Sequence, residues 1–495
     1  MELRDYQLRA IQSARDETKC GIKRTVIYAP TGAGKTVIAE AVIRSALARN
    51  KRVAFIANRI DLIKQTSRRL SKIPHGIIQG DSTRNINEPF LICSIQTIAK
   101  RGLPFVDLIV IDEAHAVPGS KDYRKLLADY NNVPVLGLTA TPFSRGMGAY
   151  DCAIGGAIFE SMVVASTIRE LINDGYLVDC DIFAPSEPDL SEVRLNRNSF
   201  GEIDYSEKDL AKAVNRPELI GDIVNHWLKL ANNKPTVCFA TNIAHSQQIT
   251  ANFNAAGIKA EHIDCYTDSE ERSAILNRVE AGDTKVISNV GILCEGWDFP
   301  ACSVMILARP TRSLIRWVQM AGRILRPYEG KERGLILDHS GSAAYLGYPT
   351  DDLPLELCDG GVGNSKSKPN LNEEGKATKC NECSFMKPPK TWKCPACGHE
   401  PIKKPNVAQI EGELRLVKRT KFSQADKQST YSQLLAIADA RNYSDGWVSH
   451  KYREIYGVWP RSLNYIRINP TEAMLSWVKA SNIRHAKSKE LRHAA

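Results

Sequence analysis

Thr25-Val-Ile-Tyr28 runs directly into Ala29-Pro-Thr-Gly-Ala-Gly-Lys35-Thr36 and then into Val37–Leu47. β-branched and aromatic residues mark the first piece as a strand, and the long apolar run after Thr36 marks the last as a helix. Between them, Gly32 and Gly34 free the backbone to turn its N–H groups inward, while the following helix N-terminus adds positive dipole. Strand, glycine-rich loop and helix form a cradle for phosphate, with Thr31, Gly32, Ala33 and Gly34 as its wall. Lys35 is placed to reach β- and γ-phosphates and Thr36 to ligate Mg²⁺. The usual pattern begins with Gly, where this chain has Ala29.

Working outward, the runs Val53–Ala57, Leu91–Ser94, Leu108–Ile111 and Val135–Leu138 repeat the short, continuously apolar strand. Such strands belong to a parallel sheet buried on both faces. Thr236–Ala240, Ala260–Ile263, Val286–Ser288, Val304–Leu307 and Gly334–Leu337 repeat the alternating plan further on, with a helix expected over Glu270–Ala281. The fold class is therefore α/β, with two parallel-sheet domains in tandem. Leu108-Ile-Val-Ile-Asp112-Glu113-Ala114-His115 then delivers two adjacent acids at a strand's carboxyl end, where open parallel sheets bind ligands. Asp112 suits Mg²⁺, and Glu113 suits a base that orients and deprotonates water.

Ordered motifs from Leu3 to Arg326 resemble those of superfamily II helicases, the DEAD/DEAH type. Leu3-Arg-Asp-Tyr-Gln7 resembles the adenine-recognition motif, with Arg4 and Gln7 in contact roles. Ala57-Asn-Arg59 with Gln65, and Ser94-Ile-Gln-Thr97, resemble strand-tracking motifs. Thr139-Ala-Thr141-Pro resembles the segment that couples hydrolysis to nucleic-acid binding. Ser288-Asn-Val-Gly with Glu295-Gly-Trp-Asp298-Phe-Pro300 resembles motif V, and Gln319-Met-Ala-Gly322-Arg323-Ile-Leu-Arg326 resembles motif VI.

The resemblance implies RecA-like domains and an ATP hydrolase. Gly296 and Asp298 would help hold nucleotide, while Arg59, Thr97, Thr241 and Asn289 would touch nucleic acid. Gln319, Arg323 and Arg326 stand at i, i+4 and i+7, so on an unbroken helix they share one face. There the arginines suit developing γ-phosphate charge. The plain alternative is a basic helix face packed on acidic neighbours.

Two C-x₂-C units, Cys380/Cys383 and Cys394/Cys397, carry the spacing of a closed four-thiolate Zn²⁺ site. Disulfides or redox pairs share that spacing, but the other nine cysteines are scattered singly, as in a reducing compartment. The ribbon would present Lys379, Lys387, Lys390, Trp392 and Lys393 to nucleic acid. Beyond it, residues 401–495 hold 17 Lys/Arg against 8 Asp/Glu, most of the chain's net charge of +10. That excess is an electrostatic footprint for a polyanion. Its aromatics, Tyr443, Trp447, Tyr452, Tyr456, Trp459 and Trp477, suit base stacking or a small core, with Trp447 and Trp459 expected to pack. Helices are expected around Tyr431–Arg441 and Glu472–Asn482.

With 495 residues, 43% of them apolar and 25% charged, the chain suits several globular domains and excludes long disorder. The apolar runs are far too short for a membrane helix, and the first twenty residues lack a secretory pattern. The expected division is 1–158, the ATP-binding RecA-like domain; 159–340, its second RecA-like partner; 341–378, a linker; 379–400, a zinc ribbon; and 401–495, a basic, mainly helical nucleic-acid-binding domain. Helical periodicity is expected over Val163–Tyr176, and residues 185–217 read as a surface excursion without assigned chemistry.

Motor, ribbon and basic tail in this order resemble bacterial and phage RadD-type DNA repair helicases, with Asp264-Cys-Tyr-Thr267, Ala308-Arg-Pro-Thr311 and Leu337-Asp-His339 adding to the match. The resemblance implies ATP, Mg²⁺ and Zn²⁺ as cofactors and single-stranded or branched DNA as substrate. It also implies a role in repair or recombination, a single-strand-binding protein as partner and a bacterial or phage-infected cytoplasm. An RNA helicase, a restriction motor and a DNA-stimulated scaffold that does not unwind are the competing expectations.

Overall fold

The computed structural model describes residues 3–80, 82–186, 188–198, 202–214, 217–294, 296–360, 377–401 and 422–493. Two compact units are present, Met1–Ile402 and Lys403–Ala495.

The first sheet of the larger unit has the spatial order Ser161–Val164, Arg24–Tyr28, Val135–Thr139, Leu108–Ile111, Val53–Ala57, Phe90–Ser94, Gly76–Gln79 and Ser82–Arg84. All neighbours are parallel except the last pair. Its central strands are buried along their whole length, which is why their apolar residues do not alternate with polar ones. The second sheet is fully parallel, in the order Asp179–Phe183, Arg333–Asp338, Val304–Leu307, Thr236–Phe239, Val286–Asn289 and Ala260–Ile263. One apolar cluster runs through both sheets, joining Ile27 and Val110 to Val237 and Met305.

Three expectations are corrected here. The first sheet extends past residue 158, because Ser161–Val164 pairs with Arg24–Tyr28 as an edge strand. The helix expected over Val163–Tyr176 is only Ile168–Asn173, begun by a Thr167/Glu170 capping box, since Val163 and Val164 are spent on that strand. The stretch after 340 is not wholly linker: Ser342–Leu346 is helical and Tyr348 and Thr350 are buried. Residues 361–376 of that stretch lie outside the described residues.

The excursion after Pro185 has a definite job. Leu195–Arg197 and Ile203–Tyr205 form a hairpin, followed by the helix Glu207–Val214. Asp204, 3% exposed, accepts from Thr311 Oγ1 at 3.0 Å, Arg312 N at 2.8 Å and Arg316 Nη1 at 3.3 Å. Glu202 accepts from Ser313 Oγ, and burial raises its carboxyl above the usual range. The hairpin therefore clamps the start of the helix Leu314–Ala321.

The smaller unit packs Gln424–Ala440, Asp445–Tyr456 and Glu472–His493 around Leu434, Leu435, Val448 and Val478. Among the described residues, no helix is long and apolar enough to cross a membrane.

Candidate active site

The phosphate loop stands at the carboxyl end of Arg24–Tyr28. Gly32 at φ +91° and Gly34 at φ +81° occupy the left-handed region that side chains avoid, and Gly34 caps the helix Lys35–Leu47. Ala29, fully buried, puts its methyl into the core, so this departure from the usual glycine leaves the loop intact. Gln7 and Tyr6 both donate to the Ala33 carbonyl, at 2.9 and 2.8 Å, which ties the adenine-type motif to the loop. Arg4 lies 3.9 Å from the centre of the Tyr176 ring.

Lys35 Nζ is 3.7 Å from Glu113 Oε1. Glu113 follows the strand Leu108–Ile111 in a left-handed conformation, φ 48° and ψ 52°, which a non-glycine residue adopts at a cost of about 1–3 kcal/mol. The turn is steadied by the Glu113 N–H donating to Asp112 Oδ1 at 3.0 Å. Burial pushes the Glu113 carboxyl up, but the Lys35 ammonium and a hydrogen bond with His115 outweigh it and hold the acid below the usual carboxylate range. An ionised Glu113 is what a water-activating base requires.

His115, 2% exposed, connects the lobes. Its Nδ1 lies 3.3 Å from Glu113 Oε2 and 3.2 Å from Thr139 Oγ1, while its Nε2 lies 3.5 Å from Gln319 Nε2. Thr139 belongs to the coupling motif and Gln319 to the second lobe, so three motifs meet on one ring.

The two arginines are not on the helix that carries Gln319. The helix Leu314–Ala321 ends at Gly322, and Arg323 and Arg326 lie in the turn beyond it, so the shared-face expectation is corrected. Folding still brings them to the cleft. Arg323 donates to Trp297 O at 2.5 Å and Cys294 O at 2.7 Å; Arg326 donates to Trp297 O at 3.1 Å and pairs with Asp298 at 2.5 Å. Asp298 also pairs with Arg69, whose Nη1 is 3.4 Å from Thr36 Oγ1. Arg69 escaped the sequence reading because it sits at the end of an amphipathic helix, Ile60–Arg69, in no recognised motif. A Cβ at Gly296 would lie 3.2 Å from Leu62, so motif V touches the first lobe. Glu295 lies outside the described residues.

Three residues expected to touch the strand make hydrogen bonds within the fold. Thr97 Oγ1 accepts from Gly80 N at 2.8 Å, and Thr241 Oγ1 donates to Ala308 O at 3.3 Å. Asn289, fully buried, donates to Cys238 O at 2.8 Å and accepts from Leu293 N at 3.1 Å. Arg59 is exposed at the entry to Ile60–Arg69.

In the cysteine cluster, Thr378–Lys379 and Met386–Lys387 form a short hairpin beneath the first knuckle. The four sulfurs lie within 4.8 Å of one another, with Cys380 and Cys397 3.7 Å apart and Cys383 and Cys394 3.6 Å apart. A tetrahedron with Zn–S bonds of about 2.3 Å has edges of about 3.8 Å, so the donor set fits that ion. The ribbon is stitched to the second sheet's edge, where Ala184 N donates to Ser384 O at 2.9 Å and Tyr348 Oη donates to Met386 O. Lys387 is buried and donates to Trp392 O at 3.2 Å, so it is not presented to solvent as expected; Trp392 is 47% exposed. Trp459, expected to pack, is 42% exposed, while Trp447 packs against the small core.

Comparison with known proteins agrees with this geometry. Residues 1–144 match the family model for the type III restriction enzyme res subunit, and residues 217–328 match the helicase conserved C-terminal domain. A 51.5 kDa protein of a Lactococcus phage is 30% identical over 404 residues, covering 80% of this chain and 83% of its own. A DNA 3'-5' translocase, XPB2 of Sulfurisphaera tokodaii, is 25% identical over 70% of this chain and 83% of its own. Among solved structures, the ATP-dependent type ISP restriction-modification enzyme LlaBIII bound to DNA superposes with a TM-score of 0.50 at 20% identity; the match covers 68% of this chain and 27% of that one, and shows likeness of fold. With both models matched in chain order and the phosphate loop, acid pair and arginines gathered at one cleft, the chain belongs to the superfamily II helicases and is an ATP-hydrolysing helicase or translocase.

Proposed function

We propose that this chain is a DNA motor of repair or recombination, similar to the RadD-type helicases. It would couple ATP hydrolysis to movement on single-stranded or branched DNA in a bacterial or phage-infected cytoplasm. The observation that carries the reading is the chain Lys35–Glu113–His115–Gln319, which links the phosphate loop of one lobe to motif VI of the other. A change at the γ-phosphate is then felt by both lobes, and relative motion of such lobes is how hydrolysis becomes stepping. In this reading residues 1–158 and 159–340, with the edge strand reassigned, are the two motor lobes. Thr36 and Asp112 would hold Mg²⁺, which supplies charge neutralisation at the phosphates. Glu113 takes the proton from water, and Arg323 and Arg326 bear on the charge developing at the transferred group.

Support for DNA comes from the translocase and the restriction enzyme among the similar proteins. The RadD resemblance supports the repair role and a single-strand-binding protein as partner. The test is ATP hydrolysis by wild type and Lys35→Ala with single-stranded DNA, duplex, fork and matched RNA. Stimulation by DNA that the variant lacks is expected; stimulation by RNA alone would replace the reading with an RNA helicase. We also propose that Cys380, Cys383, Cys394 and Cys397 hold one structural Zn²⁺. Elemental analysis should find one per chain, lost in Cys394→Ser. A restriction motor is the second reading, favoured by the model matched at residues 1–144, and DNA cleavage in Mg²⁺ would establish it.

A further inference from the structure

The C-terminal unit has its own groove. It is ≈ 470 Å³ and is lined by Lys427, Tyr452, Arg453, Val458, Trp459 and Arg461, among others. Gly457, at φ +73°, ends the helix Asp445–Tyr456 and turns the chain back so that Val458 and Trp459 stand over the helix end. No acid lines it.

Three cations gather in this groove beside one exposed indole. Outside the groove's lining, Lys451 pairs with Glu454 at 3.1 Å and Arg467 with Asp439, while Arg441 and Lys479 have no ion pair among the described residues. In the groove, neither Lys427, Arg453 nor Arg461 has a carboxylate partner among the described residues. Asp426, the acid nearest in sequence, is used as the Ser423 helix cap. Arg453 lies 4.6 Å over the Trp459 ring, and 42% of Trp459 stays exposed. Uncompensated cations bordering an exposed indole are the combination that grips unpaired nucleic acid: phosphates on the cations, an unstacked base on the ring. A duplex hides its base faces and offers the indole nothing to stack on.

We propose that this groove is a second DNA site, specific for single strands and independent of ATP, which holds a strand while the motor steps. It goes beyond the motor reading, and Lys35→Ala separates the two, since that variant should lose hydrolysis yet keep the groove.

The test measures binding of a fluorescent oligothymidine to the full-length protein without nucleotide across a range of salt. Replacing both Lys427 and Arg461 with Ala should weaken binding and flatten the log affinity–log salt slope by about 1.4, the value for two single-strand phosphates. Trp459→Ala should weaken binding roughly tenfold on the single strand and leave a blunt duplex unaffected. DNA-independent ATP hydrolysis should be unchanged in both variants, which shows that the motor remains folded. Unchanged affinity and slope would overturn the proposal and leave the groove to an acidic peptide. Equal loss on duplex in Trp459→Ala would also overturn it, because the indole would then be shaping the unit rather than stacking a base.

Discussion

In the first lobe the charged groups of the cleft face one another, Lys35 against Glu113 and Glu113 against His115. In the second lobe Arg323 rests on backbone carbonyls of Cys294 and Trp297, and Arg326 divides itself between such a carbonyl and Asp298. The difference is chemical. A carboxylate partner sets a protonation state and cancels charge, which suits a base that must be ionised and a lysine that must be aimed. A carbonyl orients a guanidinium while leaving its full positive charge to act on whatever comes within reach. In the proposed mechanism the first lobe would supply proton transfer and grip, and the second, chiefly through Arg323, charge.

Arg323→Ala provides the sharpest break of that comparison. If Arg323 bears on the transferred phosphoryl group, kcat for ATP should fall by about 10³–10⁵, and Arg323→Lys should recover little, since the fork geometry is lost. Glu113→Gln, which keeps shape and removes basicity, should lower kcat by about 10²–10⁴ while ATP still binds, as a nucleotide-binding measurement would show. A Glu113 effect larger than that of Arg323 would reverse the proposed division of labour. Asp204→Ala probes the clamp behind motif VI: leaving Thr311 and Arg316 without their partner should cost about 1–3 kcal/mol in denaturant unfolding, with ATPase reduced only as far as Leu314–Ala321 shifts.

The smallest effect concerns pH. Burial lowers His339 to about 3 and His245 to about 4, both in the second lobe. The unfolded chain protonates these rings near 6.5 and the folded one resists, so the unfolded state binds more protons between the two values. Stability should therefore fall as pH drops from 6.5 toward 4, and His339→Gln should flatten that fall in unfolding titrations.

Much of the fold was legible because buried parallel strands announce themselves: Val53–Ala57, Leu108–Ile111, Thr236–Phe239 and Val304–Leu307 are found where their apolar runs stand. Ser161–Val164 was not, because Val163 and Val164 also fit the helical periodicity that runs on to Tyr176. The phosphate loop and acid pair were readable from local spacing, since each acts within a few residues of its strand end. The arginines were read correctly as residues and wrongly as a helix face, because nothing in their spacing shows that Gly322 closes the helix. The intramolecular bonds of Thr97, Thr241 and Asn289 were silent in sequence for a related reason: which backbone group a polar side chain meets is decided by tertiary neighbours. Asp204 and Glu202 were silent in sequence, as their partners lie more than a hundred residues away.

Gly322 also works as a feeler gauge between the lobes. Its backbone, at φ −57° and ψ −14°, would accept any residue, yet a Cβ there would stand 2.6 Å from Thr31 Cβ on the phosphate loop. The clearance is less than one methyl group, so a single added carbon acts as a shim. It would press hardest on the first lobe, with the Val318 carbonyl of its own lobe at 3.0 Å, and would turn the spacing of the engine's two halves into something set by substitution.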